Sequence, residues 1–194
     1  KGMILFRLIC FAFVFTGVII AFLNAFISRK NHNYPKKRKD GHDFCVLVPA
    51  RYESLVIEDL LVSLKKQTIK INMKDVYVIV ESKDDESVKI CEKYGATVFI
   101  RKRLELQRKG YALDEAVKYI LRGKKRYDAY FIFDADNVLD KNFIKNMIPV
   151  FDKGYDFASG YRNCKNGNES VVAACSALTF SLVNTVFNDS KNKE

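Results

Sequence analysis

The sequence has only two histidines in 194 residues, His32 and His42, both in a polar stretch and neither spaced with other metal-ligating side chains. Imidazole chemistry therefore has no foothold. Five cysteines, Cys10, Cys45, Cys91, Cys164 and Cys175, form no Cys-x-x-Cys and no paired spacing. That excludes a disulfide framework and leaves free thiols of a reducing compartment as the plain reading. No internal repeat and no low-complexity segment interrupts the chain. Disorder is excluded too, because 48% of the residues are hydrophobic, enough to build a core.

Charge is missing altogether from Leu8 to Ile27, LICFAFVFTGVIIAFLNAFI. As a helix this stretch is about 30 Å long, the hydrocarbon thickness of a bilayer, and it is too apolar all round for a globular surface helix. It predicts a transmembrane anchor over residues 1–28. The formal net charge is +10, and Arg29, Lys30, Lys36, Lys37, Arg38 and Lys39 supply more than half of that excess directly after the anchor. With no aromatic interleaving and no RNA-binding signature, the run points to an anionic lipid surface and not to nucleic acid. It makes residues 29–43 a basic juxtamembrane linker and places the rest on the cytoplasmic side of a cell membrane.

From Phe44 onward, β-branched runs alternate with helical periodicity. Phe44–Val48, Val76–Val80, Thr97–Ile100 and Ala129–Phe133 are apolar on both faces, as covered parallel strands are. Between them lie three helices. Ile57, Leu60, Leu61 and Leu64 follow a Ser54 cap; Val88 and Cys91 sit between Asp84-Asp85-Glu86 and a Gly95 stop; Ala112, Leu113, Ala116, Val117, Ile120 and Leu121 form one stripe that ends at Gly123. A fourth helix, with Phe143, Ile144, Met147 and Ile148, follows an Asp140 cap. The fold class is α/β, with a twisted, mainly parallel sheet flanked by helices.

Ligands of such sheets gather at the carboxyl ends of the strands. There the sequence places Pro49-Ala50-Arg51-Tyr52-Glu53, then Glu81-Ser82-Lys83-Asp84-Asp85, then an exposed basic loop Arg101-Lys102-Arg103, then Asp134 and Asp136 of YFIFDADNVLD. Gln107-Arg108-Lys109-Gly110 leads into the amino end of the third helix, where the dipole favours an anion. Strand alternation predicts both aspartates on one side, where a cation must lie between them. Hydrolysis of a glycoside also uses two carboxylates, but aimed at the sugar ring from different directions, about 5 to 10 Å apart. Strand neighbours do not reach that geometry, and a metal gripping a diphosphate is the better account.

VLVPARYES, VIVESKDDESVKICEKYGATV, KGYALDEAV and FDADN, in this order, resemble the nucleotide-sugar half of a family 2 glycosyltransferase with the GT-A fold, of the membrane-anchored bacterial kind. The resemblance covers about Phe44 to Asn163. It implies that Pro49, Ala50, Arg51 and Glu53 line a nucleotide pocket and that Glu81 stands where an acid, usually Asp, meets the base. Lys109 then approaches the diphosphate or the base, and Asp134 the ribose or donor sugar, with Ala135 beside it. Asp136 is implied as the ligand, with Asp134 nearby, of a Mg²⁺ or Mn²⁺ ion bridging the two phosphates.

The implied partners are a nucleotide-sugar donor, a lipid or glycan acceptor and a membrane. Members of this family add a catalytic base, and processive ones a Gln-x-x-Arg-Trp motif, in a second half. The chain contains no Trp, and the base is expected beyond Glu194. Residues 44–165 are read as the donor-binding half and 166–194 as the start of the acceptor half, cut short. Its tail, Val171–Phe187, is read as a helix lying across the domain or at the membrane interface, with a second membrane-spanning helix as the alternative. Two other functions are weighed: a membrane-anchored pseudoenzyme that holds nucleotide, and a sugar nucleotidyltransferase, which calls for a Gly-rich loop that PARYES lacks.

Overall fold

A computed structural model describes residues 42–165, 167 and 169–182, and, nearer the amino end, residues 11, 12, 15, 16 and 19. The anchor over residues 1–28 and the basic linker fall almost wholly outside the described residues. Among those described, no helix is long and apolar enough to cross a membrane. The chain divides into two compact units, residues 35–158 and residues 1–34 with 159–194.

In the first unit, β1 (Phe44–Pro49), β2 (Val76–Val80), β3 (Thr97–Ile100) and β4 (Ala129–Ile132) form a parallel sheet in the order β3-β2-β1-β4. The helices are α1 (Ile57–Lys65), α2 (Ser87–Tyr94), α3 (Lys109–Arg122) and α4 (Phe143–Asp152). Strand alternation sorts the core into two layers. Phe44, Val46 and Val48 join Val76, Val78, Val80, Phe131 and the buried faces of α1, α2 and α4. Cys45, Leu47 and Ile79 meet Ala112, Ala116 and Ile120 of α3 on the other face. Two alanines at the contact let α3 lie close to β1 and β2. Leu121, expected in that stripe, is half exposed, because it sits about 100° round the helix from Ile120.

The chain moves outward from β1 through β2 to β3, then returns through α3 to the opposite side of β1. The strand order therefore reverses between β1 and β4, the place where loops diverge and an open sheet gains a crevice.

Gly95 closes α2 in the left-handed conformation, φ 77°. Gly123 follows α3 but is extended, φ −70° and ψ 167°. Any residue can adopt that backbone, and glycine is favoured there only by space, since a Cβ would stand a tight 3.0 Å from the Ile120 carbonyl. Ser54 does not cap α1, and its hydroxyl donates to Glu86 instead. Asp140 accepts from the Asn142 amide, while the first free amide inside α4, that of Ile144, is taken by the buried Gln67. His42 pairs with Asp152 and stacks on Phe44.

In the second unit, α5 (Val171–Leu182) opens at Ser170, whose hydroxyl accepts from the Ala173 amide. The Ser176 and Thr179 hydroxyls donate back to the Val172 and Cys175 carbonyls, so the helix satisfies its own polar groups.

Burial in the core fixes the state of two thiols. It pushes Cys45 up to about 12, with Asp75 adding to the effect and Lys125 opposing it, and Cys91 likewise to about 12. In the unfolded chain both ionise from about 8.5. The stability tied to keeping them neutral is thus complete below that pH and falls as pH rises toward 12. At pH 8.5 iodoacetamide should leave Cys45 and Cys91 unmodified in native protein and modify both in urea. Ready alkylation of either without urea would contradict their burial.

Candidate functional site

An open cleft of about 390 Å³ lies at the carboxyl ends of the strands, beside the β1/β4 reversal. Pro49, Ala50, Arg51 and Glu53 line it from the loop after β1, Glu81 from the end of β2, Lys109 from the start of α3, and Asp134, Ala135 and Asp136 from the loop after β4. All nine residues that the family resemblance implies line this one cavity, whereas Tyr52, Ser82, Lys83, Asp84, Asp85, Lys102, Arg103 and Gly110, also expected on the rim, are not part of its lining. Ile79, Arg101, Gln107, Arg108 and Ala112 complete the lining.

The aspartate pair does not lie on a strand. β4 stops at Ile132, and Asp134 to Asn137 form a turn closed by the Asn137 amide donating to the Asp134 carbonyl at 3.0 Å. Asn137 locks it further: its Oδ1 accepts from the Asp134 amide and its Nδ2 donates to Asp136 Oδ1. The expected alternation fails because an Asp-x-x-Asn sequence offers its own side chains to the backbone and turns the chain early. The two carboxylates then differ. Asp134 is ion-paired with Lys109 Nζ, whereas Asp136 is exposed.

The loop after β1 is held in an unusual shape. Tyr52 has φ 57°, the one positive value at a non-glycine among the described residues. Its amide donates to Asp85 Oδ2 at 3.0 Å, and Asp85 Oδ1 accepts from the Ser87 amide. Asp85 is buried, so one carboxylate starts α2 and pins the strained turn that carries Arg51 and Glu53 into the cleft.

Arg101 is not in an exposed basic loop. Its side chain is 3% exposed; NH1 binds Glu81 Oε1 at 3.1 Å, and NH2 donates to the carbonyls of Arg103 and Leu106. Its Nε has no hydrogen-bond partner and lies 3.8 Å from Glu115 Oε2. Glu115 in turn accepts from the Lys102 and Arg103 amides. Arg101 thus ties β3 and the loop leading to Lys109 against α3. Its sequence signal was slight: an arginine directly after β3, with an acid on α3 one position before the buried Ala116.

A divalent cation fits the cleft as a shared ligand. Among the described residues no group of three or more His, Cys, Asp or Glu side chains comes together to hold a metal unaided. Mg²⁺, however, is commonly held by one or two carboxylates and completed by phosphates and water. Asp136, with Asp134 beside it, offers that donor set.

A sequence model described as "Glycosyltransferase like family 2" matches residues 42–188. No curated protein matches the chain. Among solved structures, a mannosyltransferase, PcManGT, from Pyrobaculum calidifontis, in complex with GDP-Man and Mn²⁺, is similar at TM-score 0.52 and 16% identity, over 71% of this chain and 41% of that one. Glucosyl-3-phosphoglycerate synthase of M. tuberculosis gives TM-score 0.48 and 20% identity over 73% and 52%. S. aureus TarS 1–349 with UDP-GlcNAc gives 0.45 and 19% over 64% and 38%. The chain spans from about two fifths to half the length of these structures. The family match extends over most of the sequence, and it covers every strand and every cleft residue described above: the chain belongs to the glycosyltransferase-like family 2.

Proposed function

We propose that this chain forms the donor-binding part of a glycosyltransferase that moves a sugar from a nucleotide-sugar, a UDP-sugar by preference, to a lipid or polysaccharide acceptor. The observation that carries the reading is the meeting of Lys109, Asp134 and Asp136 in one cleft at the strand reversal, beside the charged end of β2. A diphosphate needs a cation against each phosphate and no bulk that keeps it from the backbone. Lys109 supplies one cation at the amino end of α3, whose dipole adds to it.

Mg²⁺ or Mn²⁺ held at Asp136 would supply the other positive charge, where negative charge grows on the leaving phosphate. Asp134, released from Lys109 as phosphate arrives, is free to accept from a ribose or sugar hydroxyl. The Asn137 turn fixes the backbone that carries both carboxylates at the cleft, so that only the Lys109 contact of Asp134 has to change when phosphate binds, and preorganisation of this kind is where electrostatic catalysis gains most. That the mannosyltransferase of similar fold was solved with GDP-Man and Mn²⁺ supports the assignment of donor class and metal.

The apolar segment Leu8–Ile27 and the basic run after it support a membrane tether with this domain on the cytoplasmic side. An acceptor embedded in or growing from that membrane suits the tether.

Calorimetry tests the site. UDP should bind more tightly with Mn²⁺ than without it, and in Asp136→Ala the metal should no longer matter while the urea midpoint stays put. Metal dependence that survives intact in the variant removes Asp136 from the role.

A further inference from the structure

The end of the sheet opposite the cleft carries a charge that donor binding does not use. Because all four strands are parallel, the segments that enter them gather at one rim, and the segments that leave them gather at the rim of the cleft. Segments 66–75 and 123–128, which enter β2 and β4, hold six cations, Lys66, Lys70, Lys74, Lys124, Lys125 and Arg126, against two acids, Asp75 and Asp128. All six cations are exposed. The four segments that leave the strands hold nine acids against seven cations. The two ends of the sheet therefore differ in sign.

β2 and β4 flank β1, so the two basic segments stand on either side of the point where the linker, with its own six cations, runs into β1. A buried carboxylate ties them into one surface. Asp75, 8% exposed, accepts from Lys125 Nζ and, at 2.7 Å, from Tyr127 Oη, which joins the approach to β2 to the approach to β4. Asp43 lies 3.9 Å from Lys125, and its amide donates to Asp128 Oδ2 at 3.0 Å. Lys125 is thus committed to holding the rim together. The other five cations form no ion pair among the described residues.

We propose that this entry rim is a second membrane contact, which docks the folded domain on the anionic lipid surface of the bilayer that holds the tether and turns the cleft away from that surface. This rests on the membrane-tether reading of Leu8–Ile27 and the basic run after it. Five cations spread over two loops suit the dispersed charge of lipid headgroups; a single compact anion calls for the fork of an arginine, and four of the five are lysines. The linker singles out lipid as the partner, since it joins the domain at this rim and makes the encounter intramolecular. Each lysine or arginine near an anionic leaflet then strengthens the contact about fivefold. β1 is about 20 Å long, well beyond a screening length of about 8 Å, so the cleft rim stays outside the field that holds the entry rim. Of the two acceptor kinds proposed above, a glycan extending from the membrane reaches such a cleft and a bare lipid headgroup does not.

The whole chain, reconstituted into vesicles of phosphatidylcholine alone and of phosphatidylcholine with phosphatidylglycerol, tests this. A membrane-impermeant acetylating reagent followed by mass spectrometry reads the reactivity of each outward-facing lysine. Lys70, Lys74 and Lys124 should react at least about fivefold more slowly in the anionic vesicles, and high salt should restore them. Lys83 and Lys102, exposed on the segments that leave β2 and β3, should react alike in both. Lys70→Glu with Lys74→Glu should free Lys124 in the anionic vesicles, and Lys124→Gln with Arg126→Gln should free Lys70 and Lys74, each with an unchanged urea midpoint. Equal reactivity of Lys70, Lys74 and Lys124 in the two lipids, or slowing of Lys83 and Lys102 to the same extent, in protein that floats with the vesicles, overturns the docking and leaves the tether standing. Failure to float with either vesicle overturns the tether reading and this inference together.

Discussion

Replacing Arg101 with methionine should lower the stability of residues 35–158 by about 3 to 5 kcal/mol, the usual cost of removing one partner from a buried ion pair. The side chain is 3% exposed, and the two acids it faces, Glu81 and Glu115, are 18% and 15% exposed. Methionine fills much of the volume but returns nothing to either carboxylate. Glu81 keeps Arg51, whereas Glu115 keeps only the amides of Lys102 and Arg103. The carbonyls of Arg103 and Leu106 lose their donor as well, so the loop before α3 loosens and Lys109 with it. Urea unfolding followed by circular dichroism would measure the change as a shift in midpoint. Adding Glu81→Leu and Glu115→Leu to Arg101→Met should recover a substantial part, because no buried charge is then stranded. A loss below about 1 kcal/mol in the single variant would mean that water reaches Arg101 freely.

That arginine also marks the boundary of what the sequence made legible. Strand positions followed from short apolar runs, since a strand covered on both faces must be apolar throughout; β1 and β4 were each misjudged by a single residue at the carboxyl end. The nine residues implied by the family resemblance do line the cleft, on the rim to which parallel topology sends the end of every strand, whereas Ile79 and Ala112 of its lining were not foreseen there. Pairing across the rim was not legible. Arg101 reads as one more charge in Arg-Lys-Arg until β2 is placed beside β3, which brings the end of β2, where Glu81 stands, to it. Asp85 reads as one acid among three before α2, yet it alone is buried, because only its position lets the carboxylate reach the amides of both Tyr52 and Ser87. Local hydrogen bonding defeated the strand reading of Asp134 and Asp136: Asn137 competes for the backbone within three residues, a contest that alternation of apolar residues does not record. Similarly, Ser54 had the right chemistry for a cap but found Glu86 across the loop.

Reversing the charge at Lys109 should separate binding from stability most sharply. The Lys109–Asp134 pair is about half exposed on both sides, 48% and 44%, so it contributes no more than about 1 kcal/mol to folding, and Lys109→Met should leave the urea midpoint nearly unchanged. Its value lies in the ligand. Two unit charges about 4 Å apart at a protein surface interact by roughly 4 kcal/mol at an effective dielectric constant of 20, before screening by salt. Losing that attraction in Lys109→Met should weaken UDP binding about tenfold or more once screening is allowed for. Lys109→Glu adds repulsion of comparable size, and its effect should be at least about a hundredfold at low ionic strength, shrinking as salt is raised. The same reversal sets a third carboxylate beside Asp134 and Asp136. Mn²⁺ alone, without nucleotide, should then bind more tightly than to the unaltered chain, because three carboxylates hold a hard cation better than two. Calorimetric titration of UDP and of Mn²⁺ into Lys109→Met and Lys109→Glu, at two salt concentrations, reads all of these. Affinity for UDP within about threefold of the unaltered protein in Lys109→Glu would place this lysine outside the phosphate site, and its ion pair with Asp134 would then be a surface contact with no part in donor binding.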